Sequence, residues 1–160
     1  ASAGARARRA RGRGDAGGRP VSAGYSGTPL VRKLGIRAGM RLLVDSAPRP
    51  YADIVADLPP DVEMVKEALQ HVDMVHLFTT ARAPLQRRLE EYRNRIAPDG
   101  VIWVSWPKKA AGVSTDVTED VVRSAALAAG LVDVKVCAVD DVWSGLKLVI
   151  RTKDRAPRSR

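Results

Sequence analysis

The chain has a single cysteine, Cys137, and two separated histidines, His71 and His76. One thiol forms no internal disulfide, and one thiol with two scattered imidazoles supplies no closed structural zinc site. Aromatic residues are equally scarce, at 4% of the chain, which leaves little surface on which nucleic-acid bases could stack. No apolar run approaches the roughly 18 residues of a membrane span, and the first residues lack the apolar stretch of a secretory signal. These absences predict a soluble cytoplasmic protein with no metal and no membrane partner.

Charge is present in excess, and its position decides its meaning. The formal net charge over 160 residues is +9. Residues 1–20 carry six arginines against Asp15, and residues 151–160 carry four arginines and one lysine against Asp154. Residues 21–150 balance 16 basic against 16 acidic side chains. The sequence thus divides into an Arg/Gly/Ala-rich segment over 1–20, one domain over 21–150 and a basic tail over 151–160. The first segment has nothing large to bury and is predicted to be disordered. It reads either as an electrostatic arm for nucleic acid or as an extension without a role.

Within the domain, strand and helix signals alternate. Thr28-Pro29 opens a short helix that Gly35 ends. Met40 to Val44 reads as a buried strand, followed by the proline-rich turn Asp45 to Pro50 and a short helix from Ala52 to Leu58. Val62–Val65 and Val72–Phe78 are further strands. Thr79 and Thr80 then offer hydroxyls to cap a helix whose apolar stripe is Leu85, Leu89, Tyr92 and Ile96. Ala97-Pro98-Asp99-Gly100 stops it.

Val101 to Trp106 is apolar on both faces, as a central parallel strand covered by helices must be. A loop over Pro107–Val117 leads to a helix capped by Thr118, with Glu119 and Asp120 in its first turn and Gly130 at its end. Val132–Val139 and Trp143–Ile150 are joined by a few residues and form an antiparallel hairpin. This order selects an α/β class: a mostly parallel sheet with helices on both faces and a C-terminal antiparallel hairpin.

Two resemblances follow. The run Leu34-Gly35-Ile36-Arg37-Ala38-Gly39-Met40-Arg41-Leu42-Leu43-Val44-Asp45, the run Ile96-Ala97-Pro98-Asp99-Gly100-Val101-Ile102-Trp103-Val104 and the terminal hairpin resemble class I S-adenosylmethionine-dependent methyltransferases. That resemblance implies a Rossmann-like, methyltransferase-like fold. The runs Ala23-Gly24-Tyr25-Ser26-Gly27-Thr28-Pro29-Leu30, Val104-Ser105-Trp106-Pro107-Lys108-Lys109 and Trp143-Ser144-Gly145-Leu146-Lys147-Leu148-Val149 resemble a family of short proteins from high-GC bacteria that carries a domain of unknown function. It implies a bacterial cytoplasmic protein and no particular activity.

The methyltransferase resemblance implies a glycine-rich turn after the first strand, where a missing Cβ lets the backbone approach the cofactor. Here Asp45-Ser46-Ala47-Pro48-Arg49-Pro50 contains no glycine, and each proline removes a donor. Glu63 and Glu67 both stand where an acidic residue after the second strand is expected, and one strand-helix unit is missing. A lacking acid or base motif decides nothing, because methyl transfer can rest on alignment of donor and acceptor.

In a sheet of this kind ligands sit beyond the carboxyl ends of the strands. The residues gathered there are Asp45, Ser46, Arg49, Tyr51, Thr79, Thr80, Arg82, Ser105, Trp106, Lys108 and Lys109. Hydroxyls and cations dominate, so the expected ligand is a phosphate or carboxylate. His76 and Trp103 read as core, Trp106 and Trp143 as core or pocket floor, and Cys137 as a small buried hydrophobe. The resulting reading is a regulatory module that binds a small anionic ligand or a protein partner and needs no cofactor. The alternative is an S-adenosylmethionine-dependent methyltransferase with a glycine-free cofactor loop.

Overall fold

The computed structural model describes residues 27–67 and 71–157. The expectation of disorder over 1–20 lies outside the described residues. Among the described residues four α-helices, α1 (Leu30–Leu34), α2 (Tyr51–Ile54), α3 (Leu85–Arg93) and α4 (Glu119–Ala128), surround six strands. The strands are β1 (Arg41–Asp45), β2 (Glu63–Val65), β3 (Val72–Phe78), β4 (Ile96–Pro107), β5 (Leu131–Ala138) and β6 (Trp143–Ile150). They form one sheet in the order β2-β1-β3-β4-β6-β5. The first four run parallel, with Leu43 beside Val75 and Val75 beside Ile102. β6 is antiparallel to both β4 and β5, pairing Trp103 with Lys147 and Leu146 with Val136.

Alternation along the strands feeds two cores, because successive side chains point to opposite faces. Val75, Leu77, Ile102, Val104, Leu146 and Leu148 pack under α3 and α4, through Leu85, Leu89, Val122 and Ala126. Met74, Phe78 and Trp103 pack under α1 and α2, through Leu34, Tyr51 and Ile54. Helices therefore cover both faces, as the alternation predicts. The Trp103 indole N–H donates to the Leu34 carbonyl at 2.9 Å and ties the end of α1 to the sheet. No helix among the described residues is long and apolar enough to cross a membrane.

Several boundaries differ from expectation. α1 begins at Leu30 with Pro29 as its extended cap, and Thr28 makes no capping bond. α2 is only four residues, since Val55 already returns to extended backbone. Thr79 and Thr80 do not cap α3. Its cap is Pro84, five residues on, while the Thr79 hydroxyl closes a local turn onto Ala81. α3 ends at Arg93, so Ile96 leaves the helical stripe and joins β4 opposite Val72. Ala97 to Gly100 form an irregularity within β4 rather than a terminator, because the ladder resumes at Met74 with Val101. By contrast, the Thr118 side chain does accept the Val121 N–H, and Gly35 and Gly130 adopt the left-handed conformation that ends their helices.

Candidate functional site

The carboxyl end of β1 delivers Asp45 to the face that α3 covers. Its carboxylate accepts the Ser46 hydroxyl at 2.8 Å, the Arg88 Nη1 at 2.8 Å and the Tyr92 hydroxyl. Arg88 and Tyr92 stand one helical turn apart on α3, so both reach the same strand end. Burial, followed by the bond to Asp45, raises the Tyr92 phenol far above its ordinary pKa and keeps it a proton donor. Ser46 adopts φ 63°. The turn thus uses the left-handed backbone that suits glycine, but with a side chain present.

Two cavities flank this cross-link. One, of about 280 Å³, is lined by Ser46, Phe78, Thr79, Thr80, Pro84, Arg88 and Trp143, among others. Phe78 and Trp143 meet edge to face at 5.4 Å and form its apolar floor. The other, of about 390 Å³, lies between the ends of β1 and β2 and is lined by Asp45, Ser46, Lys66, Glu67, Glu91, Tyr92 and Arg95, with Leu43 and Val44 behind them. Of the two acids left open by the sequence, Glu67 reaches this cavity and Glu63 does not.

Burial removes three expected residues from the crevice. Tyr51, Ser105 and Trp106 are all buried, Ser105 completely. Tyr51 and Ser105 bracket His76, with the Tyr51 hydroxyl 2.7 Å from Nδ1 and the Ser105 hydroxyl 2.8 Å from Nε2. This Ser-His-Tyr row has the connectivity of a nucleophile and its base. With all three groups enclosed, it works as a polar bridge among α2, β3 and β4. His76 also stacks on Phe78 at 4.3 Å, so the row supports the cavity floor from beneath. Trp106 faces the α3/α4 core.

The remaining candidates are dispersed. Arg49 pairs with Asp140 at 3.2 Å in the turn between β5 and β6. The Arg82 N–H donates to Asp116 at 2.8 Å, which anchors the segment before α3. Lys108 is half-buried and its N–H donates to the Val142 carbonyl at 2.7 Å, while Lys109 is exposed at the start of a single 3₁₀ turn. None of these four lines either cavity. Only Asp45, Ser46, Thr79 and Thr80 of the expected set do so. Arg88 and Tyr92 escaped the sequence reading because they lie mid-helix, away from any strand end. Their four-residue spacing, matching the reach to one acidic strand end, was the available signal.

The fold is methyltransferase-like. An S-adenosylmethionine-dependent methyltransferase from Aquifex aeolicus superposes with a TM-score of 0.54 at 16% identity, over 76% of this chain and 88% of that one. The putative methyltransferase complexed with the Trm112 activator of Haloferax volcanii gives 0.53 at 11% identity, over 76% and 87%. A putative type 11 methyltransferase from Sulfolobus solfataricus gives 0.52 at 12% identity, over 73% and 88%. Identities this low speak for the fold alone. No curated protein matches the chain. Residues 54–152, from the end of α2 to just beyond β6, match the protein family of unknown function DUF3052, and the chain belongs to that family.

Proposed function

We propose that this chain is a bacterial, cytoplasmic regulatory module on a methyltransferase-like scaffold, and that its carboxyl-edge crevice binds a small anionic ligand rather than S-adenosylmethionine. The observation that carries the reading is the glycine-free loop after β1. Where a glycine-rich turn would leave room for a cofactor, Ser46 places a Cβ and hydroxyl, and Arg88 and Tyr92 cross over to hold Asp45. The neighbouring cavity presents Ser46, Thr79, Thr80 and Arg88 above an aromatic floor. Hydroxyls and one guanidinium suit a phosphate or carboxylate, and Phe78 with Trp143 suits an apolar portion of the same ligand. The Trm112-bound neighbour supports a protein partner as the receiver of such a signal.

The test is the melting temperature of the full chain with S-adenosylmethionine, S-adenosylhomocysteine and inorganic pyrophosphate, at constant ionic strength. A ligand at about 100 times its dissociation constant stabilises by roughly 2.7 kcal/mol, which is several degrees for a domain of this size. Pyrophosphate is expected to raise the melting temperature and to perturb the Ser46, Thr79 and Thr80 amides in an NMR titration. Arg88→Ala should abolish those amide shifts, and both methionine derivatives should leave the transition unchanged. A rise of several degrees with either derivative would overturn the reading in favour of a working methyltransferase.

A further inference from the structure

The opposite, amino edge of the sheet holds a cavity of about 350 Å³ between the α1–β1 turn and the starts of β3 and β4. Its walls include Arg37, Asp73, Asp99 and Lys147. Lys135 of β5 stands directly opposite Lys147 in the β5–β6 ladder. Like charges in that position repel across the strand pair. Some cations of the fold are answered locally: Arg123 meets Glu119, Asp120 and Asp133, Arg49 meets Asp140, and Arg88 meets Asp45. Arg37, Lys135 and Lys147 form no such ion pair among the described residues.

Two carboxylates share this cavity. Asp73 accepts the Arg41 N–H at 2.9 Å, and Asp99 is engaged as well. Burial lowers the pKa of the Lys147 ammonium, and the neighbouring charges of Lys135 and Arg37 lower it further. Arg37, Lys135 and Lys147 stand close enough to repel one another, and an oxyanion seated between them would offset that repulsion.

We propose that this amino-edge cavity is a second binding site, for a small hydroxylated phosphate ester whose phosphate lies between Arg37 and Lys147, with Lys135 adding charge. Asp73 and Asp99 then accept from ligand hydroxyls, a role acidic residues fill only for a ligand that carries donors as well as negative charge. The site is independent of the carboxyl-edge crevice and shares no residue with it.

The experiment is an NMR titration of the full chain with ribose 5-phosphate and with inorganic phosphate, at constant ionic strength. Both probes are expected to shift Gly35, Arg37, Gly39 and Lys147 amides in a saturable way, ribose 5-phosphate the more tightly. Arg37→Ala and Lys147→Met should each weaken binding about 10-fold or more, on the scale of one lost charge-assisted contact. Lys147→Met should also raise the melting temperature of the ligand-free chain, because it removes a repelled, partly buried charge. Shifts confined to Ser46, Thr79 and Thr80, no saturable shift at about 10 mM probe, or a lower melting temperature for the ligand-free Lys147→Met chain would each overturn the proposal.

Discussion

At the scale of single residues, the fully enclosed His76 ring is the most consequential titratable group. Burial pushes its pKa down from 6.5 to about 3, because desolvation penalises the imidazolium. In the fold the ring is neutral, and it uses one nitrogen as donor and the other as acceptor toward the Tyr51 and Ser105 hydroxyls. The unfolded chain binds a proton below about pH 6.5 that the native state refuses. Stability is therefore complete above that pH and falls as pH drops toward 3, by up to about 1.4 kcal/mol per pH unit from this residue. Urea melts of the wild type between pH 7 and 5 should show that slope, and His76→Asn should flatten it. Parallel slopes for the two chains would place the ring in contact with solvent. Ser105→Ala should cost about 1–3 kcal/mol by leaving one ring nitrogen unpaired.

At the scale of elements, the hairpin explains why one glycine matters. A Cβ at Gly145 would stand 3.2 Å from Trp103 Cε3 and 3.3 Å from Val139 Cγ2, so β6 is bare where the Trp103 ring lies across it. Gly145→Val should destabilise by about 1–3 kcal/mol through overpacking, read as a lower urea midpoint with an unchanged slope. A neutral result would mean that the Trp103 ring can shift despite its bond to Leu34. The strands and α4 were legible because alternation, the Thr118 cap and Gly130 act locally. The limits of α3 were not, because the recurrence of Leu85, Leu89, Tyr92 and Ile96 at spacings of four, three and four continues unbroken across a helix end. What moves Ile96 into β4 is pairing with Val72, a tertiary event. The candidate site was half legible for the same reason. Strand ends can be read from a sequence, and so Asp45, Ser46, Thr79 and Thr80 were found. Whether a strand-end residue turns inward is decided by the partner that meets it, as His76 meets Ser105 and Tyr51.

At the scale of the whole molecule, charge is segregated. The balanced segment 21–150 contrasts with the excess of basic residues over 1–20 and 151–160, so any general attraction to nucleic acid must be carried by the tails. Each arginine that neutralises a phosphate releases counterions, and the logarithm of affinity for duplex DNA falls by about 0.9 per phosphate contact with the logarithm of salt. Retention of the full chain on DNA should therefore be strong only at low salt and indifferent to sequence. Deleting residues 1–20, with their six arginines, should flatten the salt dependence and shift elution to lower salt. An unchanged slope would reject tail-driven binding and move attention to the folded surface, where Arg37, Lys135 and Lys147 converge. Lys147→Met in the deleted chain then separates the outcomes: a further loss of retention would put DNA phosphate and the small phosphate ester in competition for one amino-edge site.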